Sequence, residues 1–194
     1  MAGPSKQFNH DEALTKALDI FWLNGYLGTS MQDLVDEMGI NRASMYQSYG
    51  NKQALYLSAI HQYIKNTLDF IHQELDNDPK PFEKLHRLLE QFIANSLKNN
   101  GNGCFINNAA VELATSDKLI AEQVTYFWRE LENIFNTTLT NAVSKNELKK
   151  NIDTQKFALL INIMLQGLII KTKSNASKKE LFNALDTLFE LIQR

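Results

Sequence analysis

Residues 29–56 read T-S-M-Q-D-L-V-D-E-M-G-I-N-R-A-S-M-Y-Q-S-Y-G-N-K-Q-A-L-Y. Thr29 and Ser30 are helix-capping types, and Leu34, Val35 and Met38 follow at the spacing of one helical face. Gly39 suits a left-handed stop, Asn41 caps a second short helix to about Ser48, and Gly50-Asn51 breaks the chain again. Leu34, Val35, Met38, Ile40 and Met45 would pin the two helices at a steep angle through the Gly39 turn. Arg42, Ala43, Ser44, Tyr46 and Gln47 are then left outside on the second helix, a form that can enter a DNA major groove.

The rest of the chain reads as all-α, because no stretch alternates apolar and polar residues as a half-buried strand would. From Asp11 to Asn24, the residues Leu14, Ala17, Leu18, Phe21 and Trp22 mark a first helix that Gly25 should close. A fourth, longer helix carries Leu55, Ala59, Ile60, Tyr63, Ile64, Leu68 and Ile71. It ends before Asp76-Asn77-Asp78-Pro79-Lys80-Pro81, the clearest punctuation in the chain. Beyond lie helices over 82–98, 104–114, 117–143 (after Ser116 as cap), 154–173 (capped by Asp153 or Thr154) and 177–193 (capped by Ser177), with a loop at 99–103. About nine helices result. The expected layout is a three-helix helix-turn-helix domain over 6–66, with its motif at about 29–48, and a larger helical ligand-binding and dimerisation domain over 79–194.

Twenty basic against 22 acidic residues leave a formal charge of −2, so the whole chain has no excess of positive charge to announce a nucleic-acid binder. Residues 1–65 hold five basic residues (Lys6, Lys16, Arg42, Lys52, Lys65) against six acidic ones (Asp11, Glu12, Asp19, Asp33, Asp36, Glu37). DNA binding here must rest on local geometry. Hydroxyls, backbone N–H groups and helix N-termini would hold phosphates, and the salt dependence would be moderate, not near a slope of about ten. No Walker loop, G-x-S-x-G or H-E-x-x-H occurs, so no catalytic residue and no enzyme function is expected. The four histidines, His10, His61, His72 and His86, show no close metal pairing. His86 and Glu90 share a helix face as surface neighbours. Met1 to Phe8 lacks a signal-peptide core, Asn162, Gln166 and Gly167 interrupt the longest apolar stretch, and one cysteine allows no internal disulfide. A cytoplasmic location is expected.

The run from Thr29 to Tyr56 closely resembles the DNA-binding domain of TetR-family regulators, with the likeness extending from about Phe8 to Tyr63. That family shares a threonine-rich helix start, a glycine turn, and a run of small residue, tyrosine, aromatic, glycine, x, lysine. The resemblance implies a DNA-binding transcriptional repressor acting as a homodimer on an inverted repeat of double-stranded DNA. Arg42, Ala43, Ser44 and Gln47 would face base edges; Thr29, Tyr46, Tyr49 and Lys52 would hold phosphates, with Ser30 at the same helix start. Gln47 stands where many members carry histidine or tyrosine, so base preference does not transfer. The alternative from another class is a helical protein-interaction module whose helix-turn-helix is only structural.

Two DNA heads need a fixed spacing of about 34–36 Å. The helix over 154–173 is apolar nearly all round, through Phe157, Leu160, Ile161, Met164, Leu165, Leu168 and Ile169. With 177–193 it would build an intersubunit four-helix bundle, as the resemblance also implies. Between these regions aromatics and amides concentrate, the pattern of a small-molecule cavity. The run G-C-F-I-N-N-A-A-V-E-L-A from Gly103 resembles one subset of the family. Phe92, Cys104, Phe105, Asn108, Glu112 and Trp128 are the expected lining for an effector of unassigned chemistry, and no metal or cofactor is expected. Cys104 reads two ways: a thiolate activated by a helix N-terminus, or a small buried hydrophobe. Effector binding would alter the spacing or mobility of the heads.

Overall fold

A computed structural model describes residues 8–98, 102–174 and 176–193. Among these residues there are nine α-helices and one 3-10 turn: α1 (His10–Gly28), α2 (Met31–Met38), α3 (Arg42–Tyr49), α4 (Lys52–Leu75), α5 (Pro81–Lys98), α6 (Phe105–Leu113), α7 (Lys118–Ser144), α8 (Thr154–Lys171), the turn Thr172–Ser174, and α9 (Lys178–Gln193). Positions 6–7 of the expected first domain, 99–101 of the expected loop and 194 at the end of the second domain lie outside the described residues.

The short helices start where capping chemistry starts them. Asn9 accepts the N–H groups of Asp11 and Glu12, Asn41 that of Ser44, and Asn51 that of Ala54. Ser30 and Asp33 form a reciprocal capping box at α2. Gly39, at φ 68°, ends α2 in the left-handed region and returns its N–H to the Val35 carbonyl. Gly25 behaves differently from expectation. At φ 75° and ψ 170° it breaks α1, yet one further helical turn follows, to Gly28. The larger region also corrects one cap: Asp117, not Ser116, accepts the first N–H groups of α7, from Leu119 and Ile120. The Ser116 hydroxyl instead donates back to the Leu113 carbonyl. α5 takes its cap from far along the chain, where Glu147 accepts the N–H groups of Phe82 and Glu83.

Helices α1–α3 close over the N-terminal half of α4 through Ala17, Phe21, Leu34, Met45, Leu55, Tyr56 and Ile60, all nearly inaccessible. The same α4 then runs on against α5 and α7, so the two regions share one long helix. In the larger region α7 packs on α8, α6, α5 and α4, and α9 packs on α5 and α8. Thr154–Ser174 is long and apolar enough by composition to cross a membrane. Here α8 buries Ala158, Ile161, Leu165, Leu168 and Ile169 in the helical core, and leaves Leu159, Leu160, Ile163 and Ile170 exposed.

Candidate nucleic-acid interface and ligand cavity

α3 is short, and among its residues only Met45 is buried. That single anchor, with the Asn41 cap and the Gly50 stop, turns Arg42, Ala43, Tyr46 and Gln47 outward, with Ser44 half-buried beside them. Tyr46 is an exposed aromatic, and the Arg42 guanidinium lies 5.9 Å from the centre of its ring, at the edge of cation–π range. Ser30 is exposed at the start of α2, its hydroxyl oxygen accepting the Asp33 N–H. Asp33 is held below the usual carboxylate range, chiefly by the Ser30 backbone N–H.

Three residues expected at phosphates sit in more committed positions. Thr29 is 1% exposed and its hydroxyl donates to the Gly25 carbonyl at 2.6 Å, so it braces the α1–α2 corner and offers no surface to a phosphate. The Tyr49 hydroxyl donates to the His10 carbonyl at 2.9 Å, tying the end of α3 to the start of α1. Burial, with Asp11 nearby, pushes the Tyr49 phenol up, so it stays a donor. Lys52, in the first turn of α4, places its ammonium 4.4 Å from the centre of the Tyr26 ring.

A cavity of about 450 Å³ lies between α1, α4, α5, α7 and α8, walled by Trp22, Tyr63, Phe92, Phe127 and Leu165. Exposed Asn66, Phe70 and Asn95 edge its mouth between α4 and α5. Among the described residues no charged side chain lines it. Its polar groups are hydroxyls, a thiol and amides: Tyr63 donates to Cys104 Sγ at 3.5 Å, and Gln166 donates to Asn162 at 3.0 Å. A larger cleft, about 750 Å³ beside the α4–α5 linker, is lined by His72, Asp76, Glu130, Asn133 and Lys145 and lacks this aromatic enclosure.

Of the six residues expected around an effector, Phe92 and Cys104 line the cavity. Phe105 stands behind it, packed on Trp22, Tyr56 and Tyr63. Asn108 binds the Asn102 carbonyl and accepts from Lys173. Glu112 points to the other side of α6 and accepts backbone N–H groups of α1. Trp128 lies on a shallow outer groove with Val111, Leu159, Ile163 and Ile170. α6 distributes Phe105, Asn108 and Glu112 around its circumference, so a contiguous run cannot line one cavity. Sequence reasoning missed Trp22, Tyr63, Thr67 and Gln166. A signal was present in α4, where Thr67 interrupts the apolar face four residues after Tyr63. The Cys104 thiol is pushed up by burial, the opposite of an activated thiolate.

His86, Glu90 and Asp186 meet where α5 packs on α9. Asp186 of α9 sits 2.8 Å from Nε2 of His86 and so joins the two helices, while Glu90, one turn along α5 from His86, lies 4.0 Å from Nδ1.

The family model described as "Bacterial regulatory proteins, tetR family" matches residues 13–59, and "Tetracyclin repressor-like, C-terminal domain" matches residues 81–188. The chain is 28% identical over 193 residues to the "Uncharacterized HTH-type transcriptional regulator YezE" of Bacillus subtilis (strain 168), spanning 98% of this chain and 99% of that protein. It is 27% identical over 191 residues to the "HTH-type transcriptional repressor ComR" of Escherichia coli (strain K12), spanning 97% and 91%. A cysteine mutant of the TetR family transcriptional regulator CifR, complexed with 26bp double-strand operator DNA, superposes with a TM-score of 0.85. Its identity is 23%, covering 97% of this chain and 98% of that one.

Proposed function

This chain belongs to the TetR family of bacterial regulatory proteins, and from that premise we propose that it is a ligand-released repressor reading an inverted-repeat operator as a dimer. It is a DNA-binding transcriptional regulator and not an enzyme, which sets aside the reading as a helical interaction module. It acts on DNA in the cytoplasm. The observation that carries the DNA reading is α3 itself, an eight-residue helix held by one buried methionine with its other face free. Arg42, Ala43 and Gln47 meet base edges in the major groove, with Ser44 at the helix start. Ser30, Tyr46 and Lys52 hold phosphates, and Tyr49 keeps α3 seated on α1. Repression is read from the relatives named as repressors.

A second copy covers the outer face of α8. Leu159, Ile163 and Ile170 recur along one stripe there, continued by Val111 of α6 and Trp128 of α7. α9 adds Leu191. The effector is a neutral, largely aromatic or aliphatic molecule, because an ionised ligand would find no counter-charge among the described lining residues. Occupying the cavity spreads α4 from α5 and α7, and α4 carries the heads.

The test is selection of duplexes from a random pool by the purified chain near physiological salt. Enrichment of an inverted repeat is expected; a folded protein that enriches nothing overturns the reading. With the enriched duplex in hand, a panel of neutral aromatic compounds should release it, and Gln166→Ala should weaken that release without weakening DNA binding.

A further inference from the structure

The carboxylate of Glu112 has both oxygens occupied by backbone of another helix. Oε2 accepts the Tyr26 N–H at 2.9 Å and Oε1 accepts the Leu27 N–H at 2.7 Å. Those amides open the last turn of α1, which begins afresh after the break at Gly25. One isolated turn cannot sustain itself, and its first N–H groups have no partners within the helix. A carboxylate there satisfies two of them and adds favourable charge at a helix N-terminus. Gly25 is needed for this approach. A Cβ at that position would lie 3.1 Å from Oε2, on backbone with φ +75°.

The turn so capped leads directly into the corner that aims α2. The Thr29 hydroxyl donates to the Gly25 carbonyl, and Ser30 then opens the capping box of α2. A second tether lies close by, where Gln53 in the first turn of α4 donates to Asp117, the cap of α7. The other end of α6 is at the cavity: Gly103 and Cys104 line it, and Phe105 packs on Trp22 and Tyr63. From Cys104 to Glu112 is about 12 Å of continuous helix.

We infer that Glu112 is a positioning residue for DNA reading: its carboxylate, carried on α6, caps the last turn of α1 and so fixes the α2–α3 pair against the larger helical region. The inference rests on α3 being the helix that reads DNA.

The test uses the full chain and its Glu112→Gln variant, which keeps the side chain's size but turns an amide donor toward backbone donors. Amide exchange by NMR should speed at least about tenfold at Tyr26 and Leu27, the scale of one lost hydrogen bond to a charged group. Affinity for the duplex that the wild-type chain selects should fall at least about tenfold. Affinity for unrelated duplex should hold or rise, since a negative charge is gone. Gly25→Ala, which crowds the same carboxylate, should move both readouts the same way and carries the test if Glu112→Gln does not fold. A lower melting temperature with an unchanged ratio of specific to unrelated affinity means a merely structural role and overturns the inference. Unchanged exchange at Tyr26 and Leu27 overturns it too. A wild-type chain that selects no duplex removes the reading of α3, and this inference with it; wild-type selection with an unchanged variant removes Glu112 alone.

Discussion

Replacing Met45 with alanine should loosen the DNA-reading helix without touching its outer face. Met45 is completely buried, and no other side chain of α3 is. A helix of eight residues has no stability of its own in water, so α3 is held by that side chain, its two caps and the Tyr49 hydroxyl bonded to the His10 carbonyl. Truncating a buried methionine to alanine costs about 2–5 kcal/mol. Since 1.4 kcal/mol is a factor of ten, a loss near ~3 kcal/mol raises the population of the opened head by roughly two powers of ten. The assay is urea denaturation of a Trp128→Phe background, in which Trp22 alone reports on the head, with and without Met45→Ala. Gln47→Ala, two residues along on the exposed face, is the control. It should stay within about 0.5 kcal/mol in stability while weakening the selected duplex by about 1–3 kcal/mol. A Met45→Ala chain within about 0.5 kcal/mol of its parent would refute the claim that the buried Met45 side chain seats α3.

Other expectations follow from the same geometry. Lys52→Ala should weaken binding evenly across DNA sequences and lower the salt slope by about one per head, read from affinities at graded salt. Ile163→Asp places a charge in the exposed stripe of α8 and should give monomers by sedimentation and loss of binding to the inverted repeat. Burial raises the Cys104 thiol and the Tyr56 and Tyr63 phenols above their ordinary values. The unfolded chain therefore releases those protons first, and stability present at neutral pH should decline from about pH 9 upward. Urea midpoints across that range, with Cys104→Ser removing the earliest part of the decline, check the sign. The folded chain should also react with thiol reagents at pH 7 far more slowly than the unfolded one.

Local chemistry legible in the chain carried far. The Ser30, Asn41 and Asp153 caps, the Gly39 turn and the buried set around Leu34 and Met45 are short-range consequences of residue type and spacing, and the structure forms them as expected. Periodicity likewise placed the long helices to within a few residues. The resemblance carried by 29–56 supplied the functional class, which no charge pattern in this slightly acidic chain would have suggested.

Which face of each helix meets which neighbour is set by packing and not by local sequence. Thr29 has the chemistry of a phosphate ligand, but the break at Gly25 turns its hydroxyl inward. Phe105, Asn108, Glu112 and Trp128 lie near the cavity in sequence, and rotation about α6 and α7 sends each to a different surface. Glu112 meets Tyr26 and Leu27 across more than 80 residues of chain, a pairing that no local spacing encodes. Secondary structure and capping are set by interactions a few residues long, which a sequence displays directly. A cavity or a clasp between helices depends on how side chains from distant segments share one volume, and only packing the whole chain decides that.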